Sequence, residues 1–145
     1  MLLRIVVATI AGGIVFYIVG FLVFAFVVDP MLKNYVTGFP GLMREPMPSM
    51  IYLPLWNLSM ALLFAVIFEL WAGVRSFSAG LKTGALLMLL LAIIMNLEFL
   101  AFMNFWKNEL GVIINIAAST FIGTLAGGAI GAVLGMMRSN ATAAE

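Results

Sequence analysis

Cysteine and histidine are both absent from the 145 residues. The first absence excludes a disulfide framework, a zinc–thiolate site and a thiol nucleophile. The second removes the commonest general base and the commonest metal ligand. It also excludes a Glu-x-x-His di-iron site and any histidine-ligated haem or chlorophyll held by this chain alone. Charge is scarce as well: seven Lys and Arg and six Asp and Glu, 9% of the chain, leave a formal charge of +1. No basic surplus points to nucleic acid. A soluble domain is about 25% charged and about 45–50% apolar, whereas this chain is 65% hydrophobic. So few charges do not cover a water-facing surface. The composition predicts a small polytopic membrane protein.

A spanning helix needs about 20 mostly apolar residues. Four stretches qualify, at about 4–28, 52–73, 81–104 and 110–137. The expected fold is therefore all-α: one transmembrane domain over 1–145, with four helices in a tightly packed bundle. The first stretch is too long for a signal-peptide core and reads as an uncleaved helix. Arg4, Arg75, Lys82 and Arg138 fall on one side, against Lys33, Arg44 and Lys107 on the other. The positive-inside rule then places both termini in the cytoplasm and the 29–51 segment outside. Tyr52, Trp56 and Trp106 fall at the outer boundary and Trp71 at the inner one, as an aromatic belt requires.

The 29–51 segment holds Pro30, Pro40, Pro46 and Pro48 and two glycines, so it is not one regular helix. Met31, Leu32, Tyr35, Phe39, Leu42, Met43, Met47 and Met50 make it apolar. That predicts a segment lying on the bundle, the membrane surface or a partner. Met43, Met47 and Met50 would suit Cu(I) as thioethers. Packing methionines are the preferred reading, and no metal or cofactor is assigned.

Small residues let helices approach closely in lipid, where the ordinary hydrophobic effect between helices is lost. The last span carries Gly111, Asn115, Ser119, Gly123, Gly127, Gly131 and Gly135 at strict four-residue spacing. Weaker rows run through Ala8, Gly12, Phe16 and Gly20; through Asn57, Ala61, Ala65, Glu69 and Gly73; and through Gly80, Gly84, Met88, Ala92 and Asn96. These rows predict a tight bundle. They also offer a glycine row, foremost on the last helix, for a partner helix or a second copy. Thr9-Ile10-Ala11-Gly12-Gly13 is echoed by Thr124-Leu125-Ala126-Gly127-Gly128, which shared packing need accounts for.

Ionisable groups inside a span are functional candidates. Glu69 lies near the inner end of the second helix, with Arg75, Lys82 or Arg4 as possible partners. Asn57, Asn96, Glu98, Asn115 and Ser119 lie one to two turns in from the outer end on three helices. Converging, they would form a polar patch for a small solute, a cation or a lipid headgroup, with Glu98 as anionic anchor. Otherwise they are interhelical hydrogen-bond glue.

The chain resembles a family of small, uncharacterised bacterial four-helix membrane proteins. The likeness rests on Ala11-Gly12-Gly13 through Gly20, on the second helix ending Trp71-Ala72-Gly73, on the turn Ser76 to Ala85, and on the glycine-rich close Gly123 to Gly135. It implies this topology and a multi-pass place in the bacterial inner membrane, and it transfers no activity. The residues favour a non-enzymatic membrane protein, an accessory subunit of a larger complex or a homo-oligomer joined by glycine rows. Its partners would be the bilayer and other membrane-protein helices or a second copy. A small-solute or ion transporter using the outer patch is the second reading, and a lipid-binding membrane protein the third.

Overall fold

The computed structural model describes residues 1–40 and 49–142, and only the backbone of 138–142. The segment that holds Met43, Arg44 and Met47 lies outside the described residues. Among the described residues four helices are long and apolar enough to cross a membrane: α1 (Leu2–Leu32), α2 (Tyr52–Ala72), α3 (Phe77–Phe102) and α4 (Glu109–Thr142). The chain is thus a multi-pass membrane protein. The ends of the bundle are named here by a residue at each, Arg75 and Trp106.

α1 continues four residues past its expected stop at Val28. Pro30 has no N–H, and its ring would strike the carbonyl four residues back. The chain widens into a π-turn over Phe24–Val28, where the Asp29 N–H bonds the Phe24 carbonyl, and then resumes as α-helix over Asp29–Leu32. α2 also ends in a π-turn, Phe68–Ala72, and closes on Gly73 at φ +61°. The Val74 N–H bonds the Phe68 carbonyl at 3.1 Å. That bond spans one residue more than the six-to-one bond of the usual glycine termination, because the turn it closes is a π-turn. Three residues later Ser76 starts α3 by accepting from the Ala79 N–H at 3.2 Å.

α3 packs extensively on α4 alone, while α1 packs on both α2 and α4. The four-residue rows are the contact faces. The buried residues of α3 are Gly80, Gly84, Met88, Ala92 and Asn96, the whole of its row. In α2 the row Asn57, Ala61, Ala65 and Glu69 is buried together with Phe64 and Phe68. α1 buries Ala8, Gly12 and Phe16, with Ile5 and Gly13.

The glycine row of α4 is occupied within the chain. A Cβ added at Gly84 would lie 2.6 Å from the Gly123 carbonyl oxygen, and one at Gly127 would lie 2.7 Å from the Gly84 Cα. One at Gly131 would lie 2.5 Å from the Ser76 oxygen, and Gly135 abuts the Arg75 backbone. Backbone meets backbone along three turns. This corrects the expectation that the last helix presents its glycines to a partner: α3 already fills that groove. The two Thr-to-Gly-Gly echoes play parallel parts. Gly12 and Gly13 press on Ala61 and Leu58 of α2, with Gly12 also against Ile130; Gly127 and Gly128 press on α3.

Phe16, Phe64, Phe68, Ile130 and Leu134 are fully buried and fill the half toward Arg75. Phe16 meets Phe64 edge to face with centroids 5.4 Å apart. At the other end a clasp closes the bundle. The Thr37 N–H donates to the Phe105 carbonyl and the Lys107 N–H to the Tyr35 carbonyl, both at 2.8 Å. Val36 and Trp106 form an antiparallel bridge there. Trp106 is consequently buried at 9% exposure, not set in an interfacial belt as expected. Tyr52, Trp56 and Trp71 are exposed, as belt residues are.

Candidate functional site

Two polar constellations stand inside the bundle. The first is an ion triad at the Arg75 end. Glu69 occupies the π-turn of α2, and its side chain is 3% exposed. Its Oε1 is 3.0 Å from Arg4 Nη2 and its Oε2 is 2.8 Å from Arg75 Nη2. Arg75 also donates to the Phe68 carbonyl through Nη1 and to the Glu69 carbonyl through Nη2, both at 3.2 Å, and to the Val74 carbonyl at 2.8 Å. Its guanidinium thus closes the carbonyl end of α2, where positive charge is favoured. Of the three cations expected near Glu69, Arg4 and Arg75 engage it, while Lys82 is exposed. The triad ties α1, α2 and the turn before α3 together. It is built as a structural lock.

The second constellation lies toward Trp106. All four helices surround a cavity of about 370 Å³. Phe16, Tyr17, Gly20, Phe21 and Asp29 contribute from α1, and Trp56 and Asn57 from α2. Met88, Met95, Asn96 and Phe99 contribute from α3, and Asn115, Ser119 and Ile122 from α4. The cavity exists because the facing rows change size. Toward Arg75 they are glycine on both sides. From Met88 outward α3 presents larger residues, and Met88 itself sits against Gly123. Gly20 on α1 is correspondingly loose: an added Cβ would meet only Ile122, at 4.0 Å.

The expected polar patch forms in part. Asn57, Asn96, Asn115 and Ser119 all line the cavity. Asn57 and Asn96 are buried, at 3% and 2% exposure. Asn96 Nδ2 donates to the Ala92 carbonyl at 2.8 Å and to Asn115 Oδ1 at 3.0 Å, which joins α3 to α4. Asn57 Nδ2 donates to the Leu53 carbonyl at 2.8 Å. Glu98 does not join them. It is exposed and borders neither cavity, because two residues along a helix turn it about 200° away from Asn96. The carboxylate at the cavity is Asp29 instead.

Asp29 is the site residue that the sequence reading missed. Asp-Pro reads as a stop signal, whereas the π-turn carries the helix through it. A second cavity of about 370 Å³ adjoins the first and shares Phe24, Asp29 and Asn115 with it. Lys33, Leu32, Val36, Phe105 and Trp106 complete its lining. Gly111, the outermost glycine of the α4 row, lets Trp106 and Tyr35 settle: a Cβ there would lie 2.8 Å from each. Among the described residues no three His, Cys, Asp or Glu side chains gather as a metal site would need. The arrangement is a laterally bounded apolar chamber lined also by three amides, the hydroxyl residues Tyr17 and Ser119, and one carboxylate. It suits binding of a molecule with an apolar body and a polar head. No protein-family model, curated protein or solved structure matches the chain.

Proposed function

We propose that the protein is a non-enzymatic membrane protein that holds a membrane-soluble amphiphile in this cavity. The observation that carries the reading is the cavity itself: about 370 Å³ of space bordered by four helices, apolar along most of its wall and amide-lined on one side. The packed half toward Arg75 supports retention and not passage, since Phe16, Phe64 and Phe68 leave no polar route through it. Topology follows the charge bias. The termini and the Glu69 triad face the cytoplasm of a bacterial inner membrane, and the cavity lies in the outer leaflet.

Native mass spectrometry of the protein released from a mild detergent tests the reading. Wild type should retain a lipid-sized adduct. Ser119→Phe and Gly20→Leu, which fill the cavity from α4 and α1, should each lose it while keeping the helical circular dichroism signal. An adduct retained equally by both variants would contradict the proposal.

A second reading, an accessory subunit of a membrane complex, draws on the exposed Phe39, Met50 and Ile51 at the Trp106 end. An apolar surface outside the spans is what a protein partner would cover. The same spectra separate the two readings, because a co-purifying polypeptide in place of a lipid would favour the subunit.

A further inference from the structure

The polar atoms that remain without partners around the two cavities define what a ligand head must bring. Asn96 spends Nδ2 on the Ala92 carbonyl and on Asn115 Oδ1. A carbonyl only accepts, so the amide nitrogen must lie on that side. Asn96 Oδ1 is then a buried acceptor with no hydrogen bond. Asn57 is oriented in the same way by the Leu53 carbonyl. Asp29, on the wall of both cavities, adds a carboxylate. This side of the chamber accepts.

The adjoining cavity donates. Trp106 Nε1 is a buried donor without a partner, and Lys33 brings an ammonium to the same wall. Lys33 stands one helical turn from Asp29 and attracts it coulombically, without a direct ion pair among the described residues. Both residues are exposed, so a ligand head can reach them. A buried polar atom left unmade is costly, about 1–3 kcal/mol, which gives a complementary head its advantage.

We infer that the site takes a phospholipid whose head is a phosphoethanolamine group. This rests on the amphiphile-binding reading above. The primary ammonium donates to Asp29 and Asn96 Oδ1. The phosphate accepts from Lys33, a point charge suited to it, and from Trp106 Nε1. An acyl chain runs along Phe16, Phe21, Met88 and Ile122. A phosphocholine head keeps the charge but has no N–H to give, and a phosphoglycerol head has no cation.

The test is equilibrium binding of lysophospholipids of one chain length and three heads to the purified full chain in detergent, read by tryptophan fluorescence. The phosphoethanolamine form should bind about tenfold more tightly than the phosphocholine or phosphoglycerol form, as one charge-assisted hydrogen bond implies. Asp29→Asn should remove that preference. Lys33→Gln should weaken all three forms alike. Free O-phosphoethanolamine at millimolar concentration should fail to displace the lipid; displacement would overturn the lipid as source. Equal affinity for the three heads, or a preference that survives Asp29→Asn, would overturn the head assignment. If those equal affinities still fall in Ser119→Phe, the binding reading stands without this head. If Ser119→Phe changes nothing, the cavity is not the site and both fall.

Discussion

The two ends of the α3–α4 contact follow one spacing and reach opposite results. Toward Arg75, Gly80 and Gly84 face Gly123, Gly127 and Gly131, and the backbones touch. Toward Trp106 the same two rows continue as Met88, Ala92 and Asn96 and as Ser119 and Asn115, and these residues wall a cavity. The row fixes which face is buried. The size of the side chain at each step fixes whether the helices seal or part. Each half then has its own polar element. The sealed half ends in an ion triad in which each Glu69 oxygen meets a guanidinium, with Arg75 Nε left without a hydrogen bond. The open half keeps a buried acceptor and a buried donor without partners, beside the exposed charges of Asp29 and Lys33.

Five substitutions would break or sharpen this contrast. Gly127→Leu should have the largest effect. Its side chain would enter the backbone of Gly80 and Gly84, which has no rotamer to change. Overpacking of a close-packed site costs about 1–3 kcal/mol and more when nothing can yield, so the variant should fail to give a folded monomer in detergent unfolding by circular dichroism.

Glu69→Gln comes next. Removing one member of a buried ion cluster costs about 3–5 kcal/mol, and the low end is expected because Arg4 and Arg75 remain 27% and 21% exposed. Arg4→Gln should cost much less, about 1 kcal/mol, since Arg75 still answers the carboxylate. Equal losses in the two variants would mean that Arg75 does not hold Glu69 by itself.

Asn96→Leu should lower stability by about 1 kcal/mol or less, the usual worth of an interhelical amide bond in a membrane. It removes the bond to Asn115 but also the unpartnered Oδ1. Gly20→Ala should be the mildest, within about 0.5 kcal/mol of wild type, because its Cβ finds room. A Gly20→Ala penalty as large as that of Gly127→Ala would erase the distinction between the halves.

Much of this was legible from spacing alone. The four-residue rows on α1, α2 and α3 mark the buried faces, since close approach in lipid needs small residues at the helix repeat. Asn57, Asn96, Asn115 and Ser119 were recognisable as a patch from depth along their helices. Depth says nothing of azimuth, however, and Glu98 shares the depth but not the face. Azimuth was also lost at Asp29. The π-turn at Phe24–Val28 adds a residue to one turn and rotates everything beyond it, an effect that local composition does not signal. The clasp of Val36 on Trp106 joins residues 70 positions apart, and no periodic pattern announces such a pairing. Which helix a glycine row meets is likewise a tertiary matter: the row on α4 reads equally as a surface for a partner or for α3.

The absence of cysteine makes the central claim directly measurable. Single cysteines can be introduced at two positions of α4, Ser119→Cys on the cavity wall and Ala126→Cys in the sealed half, and the protein placed in lipid vesicles. Labelling by a small, water-soluble thiol reagent is then timed. If one half is open and the other sealed, Ser119→Cys should react at least about tenfold faster than Ala126→Cys, because local opening of a packed core is rare. Equal rates, or faster labelling of Ala126→Cys, would contradict the account.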